Sequence, residues 1–215
     1  MSSGRTCGAP VFYASNDPLH LRPPVGADCS TGYLARMQPS PGDRRILETE
    51  RLILRELVDA DVDDLLEALG DPEAMRYYPH PFGREEVVGW IERWQRSYTE
   101  HGFGLWGVVL KETAELIGDC GLTFQDVAGE RLVEVGYHLK RSQWHRGFAT
   151  EAARASCHHA FEVLALDFVI ALVRPENRPS AGVAERVGMH VWKSVNHKGM
   201  LHFVYMIERN EFQYG

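Results

Sequence analysis

Gly147 and Ala149 lie two positions apart in the run Trp144-His145-Arg146-Gly147-Phe148-Ala149-Thr150-Glu151-Ala152. There an extended pattern gives way to a helical one. Neither residue carries more than a methyl group, so a ligand can approach the backbone closely. The first N–H groups of a helix have no intrahelical partner and sit at the positive end of its dipole. Together these features predict an anion site suited to a pyrophosphate. A helix that merely packs tightly on a sheet would use the same residues. No GxxxxGK[ST] occurs, nor a GxGxxG after a first strand, so neither a P-loop nor a dinucleotide-binding crossover is supported.

Other residue types with reactive chemistry point less sharply. There are ten histidines. The pair His158-His159 occupies adjacent helical positions, which face different ways and clamp a metal poorly. No HExxH or Cys/His zinc spacing occurs, so no metal is expected. Cys7, Cys29, Cys120 and Cys157 are scattered without a CxxC, which predicts free thiols in a reducing compartment. Cys120 and Cys157 read as small buried residues. Trp90 and Trp94, at helical spacing, read as core.

The elements that would position these residues follow from periodicity. Residues 46–57 alternate as one strand around Leu52 and Leu54. Val62, Leu65, Leu66 and Leu69 mark a helix, and Asp59, Asp61, Asp63 and Asp64 are expected to serve its N-terminus. Val87, Trp90, Ile91, Trp94 and Tyr98 mark a second helix. Three strands over 103–110, 115–124 and 131–139 form a meander. Helix 147–164, strand 168–173, helix 177–187 closed by Gly188, and strands 190–195 and 202–208 complete the order. A meander feeding a strand-helix-strand crossover predicts an α+β fold: a mixed, mostly antiparallel twisted sheet with helices on both faces.

The composition is that of an ordinary globular protein, 44% hydrophobic and 25% charged, with a formal charge of −7. That balance argues against nucleic-acid binding through a basic surface and mildly favours a cationic substrate. The longest apolar runs, 105–110 and 168–173, fall far short of the ~20 residues of a membrane span. With no signal peptide, the chain is read as cytoplasmic. Residues 1–45 are about one-third Pro, Gly and Ser and read as a tail or arm; the domain is placed at 46–215.

Four motifs in order resemble the GNAT acetyltransferases, and more closely their RimJ/RimL-like branch of ribosomal-protein N-terminal acetyltransferases. They are Glu134-Val135-Gly136-Tyr137-His138-Leu139, the 144–152 run, Arg174-Pro175-Glu176-Asn177-Arg178-Pro179-Ser180, and Arg186-Val187-Gly188-Met189. The resemblance covers about residues 46–210. It implies acetyl-CoA as cosubstrate and a primary amine as acceptor, with a protein or peptide N-terminal α-amine favoured. A small-molecule amine (an antibiotic, a polyamine or an amino-acid derivative) and a non-catalytic CoA-binding module are the rival readings. A homodimer stays open. The family's pyrophosphate pattern begins with Gln or Arg where this chain has Trp144, with Gln143 one place early.

The resemblance places the pyrophosphate on His145, Arg146, Gly147, Phe148, Ala149 and Thr150. It sets the pantetheine arm along the backbone of Tyr137, His138 and Leu139, with Gly136 at a bulge or as a packing glycine. Glu134 is implied as the general base, directly or through a water. Val135–Tyr137 would offer an oxyanion donor. Asn177 would lie near the pantetheine and Ser180 near the sulfur, where its hydroxyl could protonate the thiolate; Tyr137 is the alternative acid. Asn177 and Ser180 could equally be a helix cap and a surface residue. The acceptor pocket is expected between loop 71–82, with Glu73, Tyr77, Tyr78, His80 and Phe82, and the 196–201 connection.

Overall fold

A computed structural model describes residues 44–213. The expected tail, like Cys7 and Cys29, falls almost wholly outside them. The first expected strand is in fact a hairpin, β1 (Arg45–Glu48) and β2 (Leu52–Arg55). Its turn is closed by Thr49, whose N–H donates to Leu52 O while its Oγ1 accepts the Leu52 N–H. The polar run Glu48-Thr49-Glu50-Arg51 interrupts the apolar pattern there and marks the break that one strand over 46–57 overlooked.

Helix α1 (Val62–Leu69) follows a 3₁₀ turn, and α2 spans Arg84–His101. The acids around α1 do more than face its dipole. Asp61 forms two 2.7 Å bonds to Arg55, Asp63 pairs with Arg84, and Asp64 holds Lys140 at 2.9 Å. The meander is β3 (Leu105–Leu110), β4 (Leu116–Val127) and β5 (Glu130–Leu139). Next come α3 (Phe148–Glu162), β6 (Phe168–Val173), α4 (Arg178–Val187), β7 (His190–His197) and β8 (Met200–Glu208).

The strands form one sheet in the order β1-β2-β3-β4-β5-β6-β8-β7. Every pair is antiparallel except β5 with β6. Adjacent strand residues point to opposite faces, and two contacts show that both faces carry helices. Asp119 meets Trp90 of α2, while Cys120 meets Ser156 of α3. Leu52, Leu54, Leu65, Ile91, Trp106, Leu122 and Phe161 are almost wholly buried between these layers. The first eight residues of β4 are all buried, as expected of a central strand covered on both sides.

Gly118 shows how tightly β4 is held. Its φ is +148°, and a Cβ there would lie 2.0 Å from His138 O. Gly118→Ala must therefore shift the β4–β5 backbone. Overpacking and backbone strain together should cost about 3 kcal/mol. In a domain of this size that lowers Tm by roughly 10 °C; a melting curve within 2 °C of the parent would refute the packing argument.

Candidate active site

The candidate anion end is built by local geometry. His145 and Gly147 both take left-handed φ, +59° and +83°, which swings the chain from a 3₁₀ turn at Arg141–Gln143 into α3. A Cβ at Gly147 would meet only the end of Arg51, at 3.4 Å. The first intrahelical bond here is Glu151 N–H to Gly147 O. The N–H groups before it lie at the free end of a 15-residue helix, the arrangement that binds anions. Arg51 braces the loop through Glu151 at 2.6 Å and through Arg146 O at 3.0 Å. Trp144 spends its indole N–H on Leu139 O at 2.9 Å, and buried Gln143 accepts from Arg146 at 2.6 Å. Thr150 Oγ1 accepts from Arg186 Nε at 3.2 Å.

The second feature is a fork in the sheet. β5 and β6 register at one residue pair, Glu134 with Ile170. Past it, Val135 to Leu139 pair with β4 but not with β6, so one backbone edge of β5 faces a cleft. Gly136 does not bulge: β4–β5 register runs evenly through Gly121 opposite Gly136, and a Cβ there would have ordinary room. The opening lies where β6 stops pairing with β5.

Glu134 sits at the crotch of this fork. Its Oε1 accepts the Leu172 N–H at 2.9 Å, and its Oε2 accepts from Gln125 Nε2 at 2.7 Å. The residue is half-buried. Burial pushes the carboxyl above its usual range. The bonds from Leu172 and Gln125, and the nearby His138 and Lys198, pull it partly back.

Across the fork, the Tyr137 hydroxyl donates to Ser180 O at 2.9 Å and lies 3.0 Å from Ser180 Oγ. Asn177 caps α4, its Oδ1 accepting the Ser180 N–H at 3.2 Å. Tyr137, Ser180 and Asn177 thus form one cluster on the α3–α4 side. Cys120 and Cys157 are buried, and burial pushes the Cys157 thiol up to about 12.

The other face holds residues that sequence reasoning did not bring together. Trp90 Nε1 donates to Asp119 Oδ2 at 2.7 Å, Asp119 Oδ1 lies 2.7 Å from His138 Nδ1, and His138 Nε2 lies 2.6 Å from the Tyr78 hydroxyl. Trp90 is therefore only partly core. Asp119 is fully buried. Its signal was present as a lone acid in the apolar run 116–122, since a buried charge needs partners. Tyr77 donates to Glu176 O at 3.0 Å, which ties loop 71–82 to the segment after β6. The other expected wall is shorter, because β7 and β8 leave only the turn Lys198-Gly199, both at positive φ.

A family model described as an acetyltransferase (GNAT) domain matches residues 51–190. The chain belongs to the GNAT acetyltransferase family. The uncharacterized protein YkkB of Bacillus subtilis is 35% identical over 150 residues, 69% of this chain and 87% of its own. An acetyltransferase structure from Agrobacterium tumefaciens is 31% identical with a TM-score of 0.66, covering 76% of this chain and 94% of that one. RimJ of Mycobacterium smegmatis, in complex with CoA-disulfide, shares the fold at 23% identity and TM-score 0.59, covering 76% and 85%.

The GNAT assignment bears out the α+β sheet and makes the protein an acetyl-CoA-dependent N-acetyltransferase with an amine acceptor. Among the described residues no group of three or more His, Cys, Asp or Glu is placed to hold a metal ion, and no helix is long and apolar enough to cross a membrane.

Proposed function

We propose that this GNAT enzyme acetylates the α-amine of a peptide or protein N-terminus, as a member of the RimJ/RimL-like branch, in the cytoplasm. The observation that carries this reading is the Glu134 carboxylate at the fork, held by the Leu172 N–H and Gln125, with its proton affinity raised by burial. A general base works best when its pKa lies near the operating pH. An α-amine, with a pKa of about 8, suits such a base better than a lysine at about 10.4.

Acetyl-CoA supplies the acetyl group as a thioester. The residues fit it: the 145–150 loop offers free helix N–H groups, and β5 at Tyr137, His138 and Leu139 has no strand paired on its β6 side, which leaves an edge for an amide-bearing arm although Leu139 O is taken by Trp144. His145, Arg146, Gly147, Phe148, Ala149 and Thr150 would hold the pyrophosphate, with Asn177 beside the arm. Glu134 takes the ammonium proton directly or through a water, freeing the nitrogen lone pair. A backbone N–H of the 135–137 segment faces the developing oxyanion. Ser180, with the Tyr137 hydroxyl beside it, supplies the proton for the leaving sulfur.

Thiol release from acetyl-CoA against peptides with free N-termini and small amines tests this reading. Turnover with peptides, abolished when their N-termini are blocked, is the expected result. Turnover confined to small amines would move the acceptor to that class. Binding of acetyl-CoA with no turnover would favour a sensing module.

A further inference from the structure

The chain Trp90–Asp119–His138–Tyr78 has no part in the scheme above, yet its direction is determined from its buried end. An indole N–H can only donate and a carboxylate can only accept. Asp119 therefore accepts from Trp90 at Oδ2 and from His138 at Oδ1, each at 2.7 Å. That places the ring proton of neutral His138 on Nδ1 and leaves the lone pair on Nε2. The Tyr78 hydroxyl, 2.6 Å away, must give its single hydrogen to Nε2.

Whatever approaches Tyr78 then meets only oxygen lone pairs. A free hydroxyl offers both donor and acceptor; this one is an acceptor. Tyr78 is 41% exposed, and its hydroxyl is fixed 2.6 Å from His138 Nε2. Glu134 and His138 also lie on the same face of β5, two pairs of residues apart in an even ladder. The acceptor side of the fork thus presents a carboxylate and a phenol oxygen, both acceptors. A nitrogen bearing several hydrogens satisfies both at once. An alcohol, with one hydrogen, does not.

We propose that Tyr78 is the second contact of the acceptor nitrogen, and that Asp119 and His138 are positioning residues that keep its oxygen an acceptor. The inference rests on the N-acetyltransfer reading and names how that site selects a primary amine. Glu134 removes the proton. A remaining N–H stays on Tyr78 and turns the lone pair toward the thioester. No proton passes through His138.

The test compares Tyr78→Phe and Asp119→Asn at pH 8, where an imidazole is ordinarily neutral. Tyr78→Phe removes the oxygen from a partly exposed ring without disturbing the core. It should raise KM for the amine about 10- to 30-fold and leave KM for acetyl-CoA within twofold. Asp119→Asn reverses the chain instead. Trp90 still needs an acceptor, so the new amide oxygen faces it and the NH₂ faces His138 Nδ1. The ring proton must then move to Nε2 and donate to Tyr78, which turns the phenol hydrogen into the cleft.

Asp119→Asn should therefore raise the amine KM at least as much as Tyr78→Phe, although Tyr78 is still present, and the double variant should be no worse than Asp119→Asn. The ¹⁵N shifts of His138 should report a protonated Nδ1 in the parent and a protonated Nε2 in the variant, a change that a purely structural role for Asp119 would not produce. An amine KM within twofold of the parent in Tyr78→Phe, or a parent ring protonated on Nε2, overturns the proposal. If the parent enzyme turns over no amine at all, the transfer reading fails first and takes the role of Tyr78 with it; that outcome shows in the parent, not in the variants.

Discussion

Glu134→Gln should lower kcat about 10²- to 10³-fold while acetyl-CoA binding stays within a few-fold. Loss of a positioned general base costs typically 10² to 10⁴. The substitution keeps the fork intact. A glutamine oxygen can still accept the Leu172 N–H, and Gln125 can rotate its amide to accept from the new NH₂. What disappears is the group that can hold the proton.

Two further signs separate this chemical loss from damage to the fold. Burial raises the Glu134 carboxyl, so parent activity should fall as pH drops through a value above the ordinary 4.5 of a glutamate, where the carboxylate becomes protonated. That acidic limb should vanish in the variant. Stability runs the other way. A carboxyl with a raised folded pKa binds its proton more tightly in the folded state, so stability declines as pH rises from the unfolded to the folded value. The glutamine variant lacks this penalty and should melt no lower than the parent at pH 7. A kcat within threefold of the parent would remove Glu134 from the base role.

Gly147→Asp should raise KM for acetyl-CoA about 10²-fold with little change in Tm. Aspartate tolerates a left-handed φ better than most residues, and a negative charge at a helix N-terminus is favourable by itself. The only nearby atom a Cβ would meet is the flexible end of Arg51. The fold should therefore accept the change. A pyrophosphate should not. At roughly 5 Å and an effective dielectric near 40, a unit charge against a dianion costs about 3 kcal/mol. Gly147→Asn, with the same shape and no charge, should retain most of the affinity. If the Asp and Asn variants both bind acetyl-CoA as the parent does, the anion site is elsewhere.

Much of the fold was legible because its signals are local. Helices α2, α3 and α4 show a 3.6-residue apolar repeat, and glycines stand where left-handed backbone begins or ends them, at Gly102, Gly147 and Gly188. β6 runs over the same residues that its uninterrupted apolar stretch predicts. The misses have equally local causes. The β1–β2 turn at Thr49 is marked only by the short polar run 48–51, with no Gly or Pro to punctuate it, and Gly136 carries no mark that distinguishes a bulge from an even ladder.

The sequence by itself determined most of the order of elements, the β1–β2 hairpin excepted, and the candidacy of Gly147 and Glu134, since each depends on residues within one strand, turn or helix end. Only the tertiary structure decided what those groups touch. The Leu172 N–H on Glu134, the Tyr137–Ser180 cluster and the chain from Trp90 to Tyr78 join residues 19 to 60 positions apart. The shortest of these links, Asp119 to His138, spans 19 positions, and such pairings arise from which strands become neighbours and where β5 and β6 part. No local period encodes that choice; it is made when the helices cover the two faces of the sheet and buried polar groups must find partners there.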